Sequence, residues 1–173
     1  MITANFKKVI AGILEADGSV FCYFPVVNTS GVTKYMSRYY NSFPKSQSDA
    51  YITAETSAGI ALGSGTAAAS ENDYALGNMI TTGLSVNVNK TNSLDASGNP
   101  QKVFSLEVTN VSSSDVTIAE IGYIQCVPAG NSDQSTNASN TYLLLDRTLL
   151  SSPVTIAAGG TKVITYTLKT TIS

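Results

Sequence analysis

Three short segments alternate apolar and polar residues without a break: Leu84, Val86 and Val88; Phe104, Leu106 and Val108; Ile164, Tyr166 and Leu168. A period of two puts each triplet on one face of an extended strand, whereas a helix would scatter it around the axis. Val116 and Ile118 begin a fourth alternation, which resumes at Ile121 and Tyr123 on the other parity. A β-bulge near Glu120 would return both pairs to one buried face. Gly59–Leu62 and Tyr142–Leu145 are short apolar runs suited to buried strands, and Val20–Val27 and Val32–Tyr40 flank a turn at Asn28–Gly31. Val154 and Ile156 run into Ala157-Ala158-Gly159-Gly160, where the glycines supply the positive φ of a tight hairpin before the Ile164 triplet. The polar stretches Lys90–Gln101 and Pro128–Asn140 are expected to be loops at the ends of the fold.

Helical periodicity occurs only near the start, where Phe6, Val9, Ile10, Ile13 and Leu14 share one helix face and Thr3 or Asn5 could serve as N-cap. Gly12 weakens that pattern, and a strand ending at the Asp17-Gly18 turn fits the same residues. The fold class expected is all-β, an antiparallel β-sandwich of jelly-roll or immunoglobulin-like type, with or without one short N-terminal helix. Residues 58–173 form its core and residues 1–57 pack on or extend from it, within one compact domain. Composition agrees: Ser, Thr and Asn make up about a third of the chain, and these residues suit turns and pleated surfaces better than helix interiors.

The chain has no histidine and no tryptophan, 10 basic and 12 acidic residues, and a formal net charge of −2. Histidine-dependent nucleophile systems and histidine-ligated metals are thereby excluded, and the charge balance lacks the footprint of a nucleic-acid binder. Val9–Leu14 is too short for a signal sequence, and no apolar stretch reaches the length of a membrane span. Neither a cofactor nor a metal is expected.

Several motifs invite a chemical reading. Ser42-Phe43-Pro44-Lys45 has the S-x-x-K spacing of penicillin-binding enzymes but lies in a Ser/Pro-rich loop without the partner motifs. Gly59, Gly63 and Gly65 suggest a phosphate loop, yet no Gly-Lys-Ser/Thr follows; a sharp turn at a strand end explains them better. Glu71, Asp73 and Asp95, with Asn72 and Asn99, could offer oxygen ligands to calcium, but not at the spacing of an EF-hand. Lys34–Tyr40 mixes bases with aromatics; in a slightly acidic chain, Tyr35, Arg38, Tyr39 and Tyr40 are better read as contacts between subunits or sheets than as a nucleic-acid groove. Asp146-Arg147, a charged pair among leucines, is read either as a surface ion pair or as fixing a turn or a contact to a neighbouring copy. Cys22 and Cys126 are expected to be small buried thiols, with a mutual disulfide as the alternative.

Three segments also resemble a family. GIALGSGTAAASENDYALGNMI (Gly59–Ile80), VTNVSSSDVTIAEIGY (Val108–Tyr123) and LLLDRTLLSSPVTIAAGGTKVITYTLKT (Leu143–Thr170) are similar, in that order, to segments of β-sandwich virion proteins of tailed bacteriophages. The first 57 residues lie outside the resemblance, which carries no catalytic residue across. It implies a non-enzymatic, multi-copy structural subunit on the capsid surface, neck or tail, made in the host cytoplasm, with itself and other virion proteins as partners, and with neither nucleic acid nor membrane. The alternative is a receptor- or carbohydrate-binding sandwich of a tail fibre.

Overall fold

The computed structural model describes residues 1–14, 23–37, 49–131 and 139–169. Its elements are α1 (Ala4–Leu14), β1 (Tyr23–Val27), β2 (Thr33–Ser37), β3 (Gly59–Gly63), β4 (Leu84–Leu94), β5 (Pro100–Asn110), β6 (Val116–Gly130), β7 (Ser139–Ile156) and β8 (Thr161–Lys169). They form two antiparallel sheets, as an all-β sandwich requires. The larger is built on β6: β7 follows one edge, while β3 pairs with residues 120–124 and β2, carrying β1, with residues 129–130 of the other. The smaller has the order β4-β5-β8. No described helix is long and apolar enough to cross a membrane.

The alternating triplets point where their period requires. Phe104, Leu106, Val108, Ile164 and Tyr166 are buried against Ile118, Ile121, Tyr123 and Val127 of β6, Leu143 and Ile156 of β7, and Ile60 and Leu62 of β3. Each fully buried large side chain contributes about 1.5–3 kcal/mol. Residues before Gly59 join this core through Val9, Val26 and Met36. The larger sheet is covered on its far face too, where Leu76 packs on Ile52, Ala61, Ile124 and Leu144. With both faces covered, β6 is buried without interruption from Ile118 to Gly130.

The register of β6 and β7 shifts between Ile118 and Glu120, as the change of parity predicts. Most of the extra chain lies on the partner: Ile118 pairs with Val154 and Glu120 with Leu149, so Leu150-Ser151-Ser152-Pro153 bulges out of β7. β7 is therefore one long strand, not the two suggested by Tyr142–Leu145 and Val154–Ile156.

Three other expectations are corrected. Lys90–Leu94 and Pro100–Gln101 belong to the β4–β5 hairpin, whose turn is only Asp95–Asn99; the strands read as loop because Asn89–Leu94 lie beyond the core and are exposed. The Pro128–Asn140 stretch likewise contains the end of β6 and the start of β7. The Ala157–Gly160 turn has a positive φ at Gly159 but is not a hairpin, because β7 pairs with β6 and β8 with β5. Buried Asn110 holds this corner: its Nδ2 donates to Ile156 O (2.9 Å) and Ser114 O (2.8 Å), and its backbone O accepts from Gly159 N (3.0 Å).

The N-terminal segment is the helix, but neither side chain proposed as its cap acts as one. The Thr3 hydroxyl donates to Leu144 O at 2.7 Å, and Asn5 bonds both backbone groups of Val27, at 2.6 and 2.9 Å. The first helical N–H, of Ala4, instead finds Glu71 O at 2.6 Å.

Candidate functional site around Glu120 and Arg147

The irregularity in β6 turns Glu120 away from the smaller sheet and under the segment that follows β3. Its side chain is fully buried, which an ionised carboxylate tolerates only with partners. Oε1 accepts from Gly65 N (3.0 Å) and Asn78 N (2.8 Å); Oε2 accepts from Gly77 N (3.1 Å) and Arg147 Nε (2.7 Å). Arg147 stands opposite Gly122 on β7, on the same face as Glu120. Its Nη1 donates to Asp73 Oδ2 at 2.8 Å and its Nη2 to Ala67 O at 3.1 Å. Burial works against the guanidinium's charge, but Asp73 and Glu120 outweigh it and raise its pKa above the ordinary arginine value.

This cluster explains the glycines. A Cβ on Gly63 or Gly65 would fall under 3.0 Å from Glu120 Oε1, and one on Gly77 would meet Arg147 Nη2 at 3.0 Å. Backbone N–H groups of a glycine-rich loop do converge on an anion here, but the anion is the chain's own Glu120. The cluster ties residues 65–78 to β6 and β7, and so covers the far face of the larger sheet.

Asp146 points the other way, as a strand neighbour of Arg147 should. Its Oδ2 accepts from Tyr166 Oη and Thr148 Oγ1, each at 2.8 Å, and its Oδ1 lies 3.1 Å from the Met1 ammonium. Asp146 and Arg147 are 4% and 3% exposed. They are neither a surface ion pair nor available to a neighbouring copy, because both faces of β7 are covered here and each residue closes a network within its own chain. Burial, and then Asp146, push the Tyr166 hydroxyl well above its usual pKa.

A third cluster joins the two sheets. Asp49 accepts from Lys102 Nζ at 2.6 Å, from Lys90 Nζ and from Tyr123 Oη at 3.3 Å; Gln125 Nε2 donates to Tyr123 Oη at 2.7 Å. Burial opposes ionisation of Asp49, and the two ammonium groups overcome it, holding the carboxyl below its ordinary value. Between the Asp49 and Asp146 clusters the rings form a column, with Phe104 stacked on Tyr166 at 5.6 Å and tilted to Tyr123 at 5.8 Å.

Of the other residues singled out, Tyr35 is half-buried in β2 between Pro25 and Gly130. Arg38, Tyr39, Tyr40, Ser42, Lys45 and Cys22 lie outside the described residues. Cys126 is buried in β6. The acidic residues considered for calcium serve elsewhere: Glu71 pairs with Lys7 at 2.6 Å, Asp73 with Arg147, and Asp95 accepts from Ser97 N and Asn99 N in its own turn. Among the described residues, no group of three or more His, Cys, Asp or Glu is placed to hold a metal ion. An open depression of about 290 Å³ lies between Phe6 and the end of the smaller sheet, lined by Lys102, Leu168 and Lys169.

Pattern reasoning missed the pairing of Glu120 with Arg147. The available signals were one carboxylate inside an apolar run, one arginine inside another, and a glycine-rich segment upstream of both. No protein-family model matches the chain, and neither do curated proteins or solved structures.

Proposed function

We propose that the chain is a non-enzymatic, multi-copy structural subunit of a tailed-phage virion, placed on the capsid surface, neck or tail. The observation that carries this reading is where the charge goes. Glu120, Arg147, Asp73, Asp146 and Asp49 all bind other parts of the same chain. The outer face of the smaller sheet carries mostly small uncharged residues, among them Ser85, Asn87, Asn89, Thr91, Thr161, Thr165 and Thr167, all exposed, with Glu107 and Lys169 as its charges. Such a face can meet another protein without heavy desolvation of ions. The three segments that resemble phage virion proteins support the same reading and coincide with the parts of this frame: the glycine-rich strap over Glu120, the Asn110 corner leading into β6, and β7 with β8.

The tail-fibre alternative needs tyrosines free to stack on a sugar: Tyr123 and Tyr166 belong to the core, Tyr74 is exposed, and Tyr39 and Tyr40 lie outside the described residues. The test is mass spectrometry of purified particles produced from the genome that encodes this chain. Its peptides at many copies per particle are expected; their absence from intact particles would refute the proposal.

A further inference from the structure

Among the described residues, β4 pairs with β5 alone, so its other side is a free edge 11 residues long. Long edges are normally guarded by charge, proline or a bulge. The opposite edge of this sheet, β8, carries Lys162 and Lys169. β4 contains neither proline nor bulge, and its single charge, Lys90, is bound to Asp49.

We propose that this edge pairs with β4 of a second copy, antiparallel and centred on Asn89. The inference rests on reading the chain as a self-associating subunit and names the contact. Its geometry follows from the ladder. Asp95 N donates to Asn99 O and Val111 N to Gly83 O, both at 2.9 Å and both in register with the β4–β5 pairs. Bonded and non-bonded positions alternate. Odd-numbered residues of β4 therefore turn their backbone groups to β5, and Leu84, Val86, Val88, Lys90, Asn92 and Leu94 turn theirs to the free edge.

A twofold axis at Asn89 sets those even-numbered residues opposite one another. Leu84 then faces Leu94 of the second copy, Val86 faces Asn92 and Val88 faces Lys90, with about twelve N–H···O bonds in all. Leu94, 65% exposed in the single chain, gains an apolar neighbour twice over. On the outer face Ser85 meets Ser93, Asn87 meets Thr91, and Asn89 meets itself. Sliding the register two residues one way brings Lys90 against Lys90, a like-charge pair that is disfavoured. Sliding it the other way puts Leu84 opposite Asn92 and leaves Leu94 unpaired. Association would join two three-stranded sheets into one of six, and the twofold closes it.

The experiment is site-specific cross-linking of the full chain. On the axis, Asn89 occupies a non-bonded pair with Cα atoms about 4.5 Å apart, within disulfide range. Asn87 lies on the same exposed face, but its symmetry mate is four residues along the strand, about 13 Å away. Under mild oxidation N89C is expected to give a disulfide-linked dimer, with the peptide that joins position 89 of the two copies identified by mass spectrometry. N87C and the wild type should stay at a common background. Asn92→Pro, which removes an edge donor and leaves the β5 ladder intact, should weaken dimerisation about tenfold or more. Equal cross-linking of N89C and N87C, or none, in a protein that light scattering shows to be oligomeric, overturns the β4 contact and leaves the self-associating subunit standing. A wild type that is monomeric at every concentration overturns both.

Discussion

Replacing Glu120 by Gln changes almost no volume and removes one charge from a fully buried position. The carboxylate receives three backbone N–H groups and the Arg147 Nε. An amide presents two donors in place of one acceptor oxygen, so at least one of these donors would face another donor. Arg147 would keep only Asp73 and Ala67 O. Removing one partner of a buried ion pair costs about 3–5 kcal/mol. Against a total stability of about 5–15 kcal/mol, that is about a fifth or more of what a typical domain has. For a chain of this size it corresponds to a fall in Tm of about 6–20 °C. Equilibrium denaturation of E120Q, R147M and the double variant measures both the loss and the coupling. The double variant should be less destabilised than the sum of the singles by at least about 1.5 kcal/mol, since each single strands the other's charge. Glu107→Gln, on an exposed position of β5, should stay within about 0.5 kcal/mol. A loss under about 1 kcal/mol for E120Q, or strict additivity with R147M, would show that the cluster does not hold the strap.

Other consequences are as direct. Gly65→Ala should destabilise by about 2–4 kcal/mol through collision with Glu120, whereas Gly98→Ala, which meets nothing but has φ +80°, should cost about 1–2 kcal/mol; denaturation of the pair separates crowding from backbone strain. Asn110→Ala should cost about 2–3 kcal/mol and speed hydrogen exchange at Gly159, because the corner loses its bonds to Ile156 and Ser114. Asp49 ionises more readily folded than unfolded, so its contribution is present above the ordinary aspartate pKa of 3.8 and is lost as pH falls through the lower folded value; Asp49→Asn should flatten the acid limb of stability against pH. Tyr123 and Tyr166 show the opposite sign: with folded values raised above the ordinary 10.0, their contribution is complete below that pH and is lost as pH rises beyond it. Their tyrosinate absorbance should emerge together with unfolding.

How much of this was legible depended on whether a residue's neighbours in sequence are also its neighbours in space. The triplets at Leu84, Phe104 and Ile164 could be read because a strand with one buried face writes its period into the sequence. The bulge at Glu120 was legible for the same reason, as a parity change that only an irregularity could reconcile with one face. Lys90–Leu94 carried no such pattern: both faces are exposed, so strand and loop look alike. β7 was split in two by the Leu150–Pro153 excursion, and the Gly159 turn announced a change of direction without saying which sheet the next strand joins. Glu120 and Arg147 lie 27 positions apart and meet only because β6 and β7 pair. Arg147 looked like half of a local pair with Asp146, yet adjacent strand residues point to opposite faces. Gly63 and Gly65 were read as a sharp turn at a strand end, whereas they and Gly77 are small because Glu120 and Arg147 crowd against them.

The proposal that buried charge holds the interior while a sparsely charged outer face of the smaller sheet serves assembly is tested most directly by the mass of the purified 173-residue chain, followed by light scattering across a concentration series. Whole-number multiples of 18.1 kDa, dimer first and larger assemblies at higher concentration, are the result expected. A species that stays at 18.1 kDa over the whole series, and binds no protein of the particle, would contradict it.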